Sequence, residues 1–253
     1  MVTMSTPPEA RPTPPARRRL TAALLTLGRP LLLISFALYQ LEVRRNLYPR
    51  DALVSHIDGV DPLRMLFVGD VAASGHGVLS HGLTVVTRAA EHIAVDSGRG
   101  AEWSIVAEPD LTMKKLAHRT SYGAQGAEVA FLLLGIPDVL LSTSPERWAA
   151  QLETVVRRIQ AESGLRAPRV VVSGIPPLSD FRPINPTARR IINQRVDRLN
   201  AASADVADHL PGLSYVPFPT WRIGDMFIKE MFSWKTMHDA WGETLAASLR
   251  PGT

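Results

Sequence analysis

The sequence predicts a layered α/β domain built on a parallel sheet. Two observations carry that prediction. Short, almost continuously apolar runs recur from Asp61 onward, which suits strands buried on both faces. Amphipathic stretches with helical spacing separate them, and strand–helix alternation of this kind gives a sheet with helices packed against it.

The runs are RMLFVGD (64–70), WSIVAE (103–108), EVAFLLLG (128–135), RVVVSGIP (169–176) and LSYVPFP (213–219). Between the third and fourth lies SPERWAAQLETVVRRIQAES. Its Trp148, Leu152, Val155, Val156 and Ile159 share one helical face, and Ser144 before Pro145 is a cap-and-first-turn start. Pro186 to His209 repeats the pattern, with Ile191, Ile192, Val196, Leu199 and Val206 facing inward. In such a sheet the ligand crevice lies outside the carboxyl ends of the strands. A site should therefore draw on Gly69–Gly77, Glu108–Thr112, Gly135–Leu141, Gly174–Pro183 and the loop after Pro219.

The first fifty residues differ from the rest. They hold eight arginines against Glu9 and Glu42, a surplus of about six positive charges in a chain of net charge +4. The remainder is therefore weakly acidic, and no basic groove with interleaved aromatics appears, so nucleic acid is not an expected partner. Residues 1–19, rich in Pro, Thr and Arg, are expected to be disordered. Residues 20–48 form an apolar, helical segment interrupted by Gly28-Arg29-Pro30. It suits packing on the domain or at a membrane surface, a membrane span, or a signal peptide. A cytoplasmic location, with possible contact at the inner face of the cell membrane, is the expectation. The third segment is the α/β domain, residues 61–250. The chain has no cysteine, which excludes disulfides, thiolate metal sites and cysteine nucleophiles. No cofactor, cofactor-binding residue or metal is expected.

Five places, one after each strand, carry a resemblance; the second is AEPDLT (107–112), and the other four are longer. FVGDVAASGHGV is similar to a strand followed by Gly-Asp-Ser and spaced glycines. LLLGIPDVLLSTSPERW resembles a Gly-x-Asn-Asp block, VVVSGIPPLSDF a fourth strand with its GxPP exit, and DMFIKEMFSWKTMHDAWGETLAASL a final loop and helix bearing Asp-x-x-His. Together, over roughly Arg64 to Leu249, they resemble the SGNH (GDSL-type) hydrolase superfamily, in particular its actinobacterial esterase-like members. The resemblance implies a three-layer flavodoxin-like fold, with a five-stranded parallel sheet in the order 2-1-3-4-5 and helices on both faces.

It also implies acyl transfer to water. A first-block serine attacks, and a histidine oriented by an aspartate takes its proton. The serine amide, a second-block glycine amide and a third-block asparagine hold the oxyanion. This chain departs from that pattern at each position. The nucleophile position is Val71. The second-block glycine aligns with Asp110, which also reads as a cap for LTMKKLA. The asparagine is Pro137, which has neither a side-chain donor nor an N–H, and Asp138 beside it reads as a turn residue. In the last block either Lys235 and His238, or Glu230 and Ser233, occupy the acid and base positions. The second pairing fits better, because the flanking MF and WGETLAASL then fall into place with one residue deleted between them. Ser74, His76 and His238 are the remaining candidates. Their bland readings are a small residue or cap under the helix, a solvent-facing loop histidine, and a surface or packing histidine.

Three functions are therefore weighed: a non-catalytic relative that binds a ligand or protein partner, an esterase with relocated residues, and a membrane-associated scaffold. The turn after the first strand is shaped to present a serine, yet presents a valine. Gly69, Gly75 and Gly77 are expected to serve backbone geometry and close packing there.

Overall fold

The structure is a computed structural model, and it describes residues 34, 36–177, 186–220, 227–228 and 231–250. The expected disorder of residues 1–19 and the break at Pro30 lie outside the described residues. Residue 34 and residues 36–45 are helical and belong to helix α1.

The main sheet contains β1 (His56–Ile57), β2 (Leu63–Gly69), β3 (Ala101–Ala107), β4 (Val129–Leu133), β5 (Arg169–Ser173) and β6 (Leu213–Val216), in the order β1-β3-β2-β4-β5-β6. The last five are parallel, and in chain order they run 2-1-3-4-5 as predicted. The difference is β1, two residues that pair antiparallel with β3 at the edge. A two-residue strand has no periodicity to read. A separate antiparallel pair joins β7 (Phe227–Ile228) to β8 (Met231–Phe232).

Alternation along β2 divides the core. Leu66 and Val68 face the layer made by α3 (Met113–Ala117), α4 (Ile136–Leu140), α5 (Pro145–Ser163) and α6 (Pro186–His209). Met65 and Phe67 face α2 (Val85–Ser97) and α7 (Trp234–Ala247). Successive strand side chains point to opposite faces, so a strand covered on both sides must be apolar throughout. Phe67 stacks on Phe131 with ring centroids 4.9 Å apart. Two buried indoles are satisfied by hydroxyls, Trp148 Nε1 donating to Ser203 and Trp241 Nε1 to Ser173, both at 2.8 Å.

The α5 reading holds in detail. Ser144 caps it, proline occupies its first turn, and the five predicted residues are its buried apolar face. In α6, Ile192, Val196, Leu199 and Val206 are buried, whereas Ile191 is only partly so. Asp110 is not the cap of α3. Thr112 caps it, its Oγ1 accepting from Lys115 N–H, and Asp110 lies outside with its carboxylate 2.8 Å from Lys115 Nζ. Threonine sits at the position where its hydroxyl reaches the third amide of the helix, and Asp110 is two residues too early.

Helices α2 and α7 pack so closely that a Cβ on Gly242 would lie 2.7 Å from Ala89 N. The pair closes the sheet face beneath the loop that follows β2. In that loop Gly77 has φ +83°, and a Cβ there would strike the Trp234 ring at 2.4 Å. Glycine is what lets α7 approach the loop.

Candidate functional site

β2 delivers Asp70 and Val71 to the carboxyl end of the sheet, the end where the crevice was expected. Asp70 is buried. Its Oδ2 accepts from Gly135 N–H at 2.9 Å and Ile136 N–H at 3.0 Å, and its Oδ1 from Ala72 N–H at 3.2 Å. The carboxylate thus ties the turn after β2 to the turn after β4. Burial pushes its pKa up to about 7, against the downward pull of these three N–H groups and with a further rise from Asp138. Asp138 is also buried. It accepts from Met113 N–H at 2.8 Å and from the Thr143 hydroxyl at 2.7 Å, and burial raises its pKa to about 6. Both are positioning carboxylates that hold loops together.

Val71 is 5 % exposed. It lines a cavity of about 80 Å³ together with Ala72, His76, Ile136 and Pro176. Trp234, Met237, His238 and Trp241 of α7 form another wall. Tyr39, Glu42 and Val43 of α1 complete the lining. Helix α1 therefore stands across the crevice. Its Tyr39 hydroxyl donates to Pro109 O at 2.6 Å, on the loop after β3. The chain following α1 receives Gly77 N–H on Leu47 O at 3.0 Å. Two crevice loops are thus latched to the N-terminal segment. A cavity of this size offers the liquid volume of two or three waters, well below the 300 Å³ or more of typical ligand pockets.

Of the described sequence candidates, Val71, His76 and His238 meet at this cavity, whereas the Ser74 and Ser233 hydroxyls are bonded within their own turns. Ser74 is partly buried, and its Oγ donates to Asp70 O at 3.0 Å, one turn back. Ser233 caps α7, its Oγ accepting from Thr236 N–H and lying 2.8 Å from Thr236 Oγ1. Glu230 lies outside the described residues. Pro137 sits in the first turn of α4, with its ring buried. His76 is not a solvent-facing loop residue: it is 8 % exposed and packs edge-on to Trp234, with centroids 4.8 Å apart. Asn46 Oδ1 accepts from Leu47 N–H, so Asn46 Nδ2 is the donor to His76 Nε2 at 2.7 Å. The loop histidine was misread because the residues that bury it come from α7 and from the chain after α1, both far away in sequence.

His238 is a packing histidine, buried completely. Its Nδ1 accepts from Val85 N–H at 3.1 Å, which places the proton on Nε2, and Nε2 donates to His76 O at 2.9 Å. Burial lowers its pKa to about 4. The ring is neutral, and its one lone pair is committed to the N-terminus of α2. Tyr48, beside His76, is pushed up to about 12 by burial and then by Asp70 and Glu42. Ser80, Asp51 and His81 are joined by hydrogen bonds, but Ser80 Oγ (2.6 Å) and His81 Nδ1 (2.8 Å) both meet the Asp51 carboxylate, so the hydroxyl is paired with the acid and not with the imidazole. Among the described residues no three His, Cys, Asp or Glu side chains are grouped to hold a metal.

Sequence reasoning passed over Asp70 and the crevice-facing residues of α1. The Gly-Asp pair at the end of β2 was a signal for the first. The i, i+4 spacing of Tyr39 and Val43 was a signal for the second.

The sheet order, the crevice end and the buried Asp-bearing turn define an α/β protein of hydrolase architecture. Residues 72–245 match the model of the GDSL-like Lipase/Acylhydrolase family, and the chain belongs to that family. No curated protein sequence matches it. Among solved structures, the lipase Lip_vut3 from a goat rumen metagenome is similar, at 13 % identity, 74 % and 97 % coverage of the two chains and a TM-score of 0.58. The extracellular lipase of Streptomyces rimosus shows 16 % identity, 74 % and 100 % coverage and a TM-score of 0.53. Phospholipase A1 of Streptomyces albidoflavus NA297 shows 16 % identity, 75 % and 100 % coverage and a TM-score of 0.51. At these identities the likeness shows the fold.

Proposed function

We propose that this chain is a non-catalytic member of its family that acts by binding through its outer surface. The observation that carries the reading is Val71, buried beneath α1 at the end of β2 where the family places its nucleophile. A hydrocarbon side chain has no lone pair with which to attack. The positions of the other family groups support the same reading. Asp110 points its charge at Lys115, Pro137 offers no N–H or amide, Ser233 serves as a helix cap, and His238 has no free lone pair. Losing nucleophile and base costs several orders of magnitude in rate, and such losses are not additive. The first fifty residues, with their surplus of arginine, suit the anionic lipid of a cytoplasmic leaflet.

The test is hydrolysis of short-chain aryl esters by the wild-type protein and by Val71→Ser, Ser74→Ala and His238→Ala. No turnover above the buffer blank is expected from any of them. A serine restored at 71 lacks both an available base and an oxyanion hole. Wild-type turnover abolished by Ser74→Ala would instead establish a relocated nucleophile. Turnover abolished by His238→Ala would make that histidine the base.

A further inference from the structure

Helix α1 has two apolar faces, and the domain uses one. Tyr39 and Val43 point into the crevice, 5 % and 8 % exposed. Ile34, Leu38 and Leu41 are 59 %, 57 % and 46 % exposed. At 100° per residue these three fall within about 60° of one another, on the side of the helix opposite Tyr39 and Val43. Arg45 continues the outer stripe at its C-terminal end, and exposed Arg44 flanks it. Leu47 and Leu79 are exposed beside that end of the helix, at 51 % and 60 %. A soluble domain gains nothing from an apolar stripe on water, and such stripes rimmed by cations mark contact surfaces.

Two features of the sequence say what covers it. Immediately before the stripe, residues 20–33 contain seven leucines in fourteen positions. The first fifty residues have eight arginines, no lysine and two glutamates. Apolar side chains with a dense surplus of guanidinium groups complement a bilayer rich in anionic phospholipid, where burial and charge act together. No helix among the described residues is long and apolar enough to cross a membrane.

We propose that the outward face of α1 docks the protein on an anionic phospholipid surface, with Ile34, Leu38 and Leu41 in the acyl–headgroup boundary and Arg44 and Arg45 at the headgroups. Because α1 lies across the crevice, docking presents the carboxyl end of the sheet to the bilayer. The inference does not depend on whether the crevice is catalytic.

The test is co-sedimentation of the full chain with vesicles of phosphatidylcholine alone and of phosphatidylcholine with phosphatidylglycerol. The wild-type chain is expected to pellet with the anionic vesicles and to be released by 0.5 M salt, where the Debye length falls to about 4 Å. The triple variant Ile34→Ser, Leu38→Ser, Leu41→Ser, in which only exposed side chains change, should bind the anionic vesicles at least tenfold more weakly while keeping the wild-type circular dichroism spectrum and melting temperature. Wild-type protein left in the supernatant with anionic vesicles would overturn the proposal. So would a triple variant that binds as the wild type does, since the contact would then lie in other residues. A wild-type dimer that the triple variant breaks, without vesicle binding, would assign the face to a second copy of the chain and also overturn it.

Discussion

Asp70→Ala is expected to cost about 3 kcal/mol or more of folding stability, because each buried N–H left without a partner costs about 1–3 kcal/mol and three of them lose their acceptor. Gly135, Ile136 and Ala72 all donate to this one carboxylate. No water from bulk solvent reaches the position to replace it, since Asp70 is 1 % exposed. In a domain of this size that loss corresponds to a melting temperature lower by about 6–12 °C. Asp70→Asn should fall in between, as its amide oxygen can still accept while its NH2 group faces a donor. Urea unfolding of the three proteins measures the effect, and an alanine variant within about 0.5 kcal/mol of wild type, the range of an ordinary surface substitution, would contradict the role given to Asp70. The pH dependence has a definite sign. The folded pKa, raised to about 7, lies above the unfolded value of 3.8, so between these limits the native state holds the proton more tightly than the unfolded chain. The contribution of Asp70 to stability is therefore greatest in acid and declines as pH rises through 7. Asp138, raised to about 6, acts in the same direction over a narrower window.

His238→Ala is expected to cost a further large amount, about 3–5 kcal/mol, from a buried cavity together with two orphaned backbone groups. The groups are Val85 N–H, at the start of α2, and His76 C=O, in the loop after β2. One ring thus joins α7 to both. Its titration runs opposite to that of Asp70. The folded pKa, lowered to about 4, lies below the usual 6.5, so the native state binds its proton less tightly than the unfolded chain does. The stabilisation is full above about pH 6.5 and is lost as pH falls toward 4. Urea unfolding of wild type and His238→Ala between pH 4 and 8 should show a difference that shrinks on the acid side. A difference independent of pH would mean that the imidazole is not held neutral.

The five parallel strands were legible because burial on both faces leaves few polar residues to interrupt a run such as RMLFVG. The α5 boundaries were legible because Ser144 and Pro145 are local signals that need no tertiary partner. The site was legible only as a set of positions. Val71, Pro137 and Ser233 could be placed on the family pattern, but what each side chain touches depends on contacts between residues distant in sequence. The burial of His76 arises from Tyr48 and Trp234, 28 residues before it and 158 after it. The closure of the crevice by Tyr39 and Val43 arises from a helix whose outer face is equally apolar. Periodicity alone cannot say which of two apolar faces meets the domain. Asp110 failed as a cap for a smaller reason: Thr112, two residues on, competes for the same helix start and has the right offset.

On the proposed non-catalytic reading, no serine of this chain is an activated nucleophile, whatever ester is offered to it. Incubation of the full-length protein with an alkyl fluorophosphonate, followed by intact-mass measurement and peptide mapping, tests it without assuming a substrate. A serine made nucleophilic by a neighbouring base displaces fluoride and keeps the phosphonyl group, whereas an ordinary serine does not react. The unmodified mass is expected after an exposure that labels a serine hydrolase control completely. A stoichiometric phosphonyl adduct on Ser74, on Ser233 or on any other single serine would contradict it.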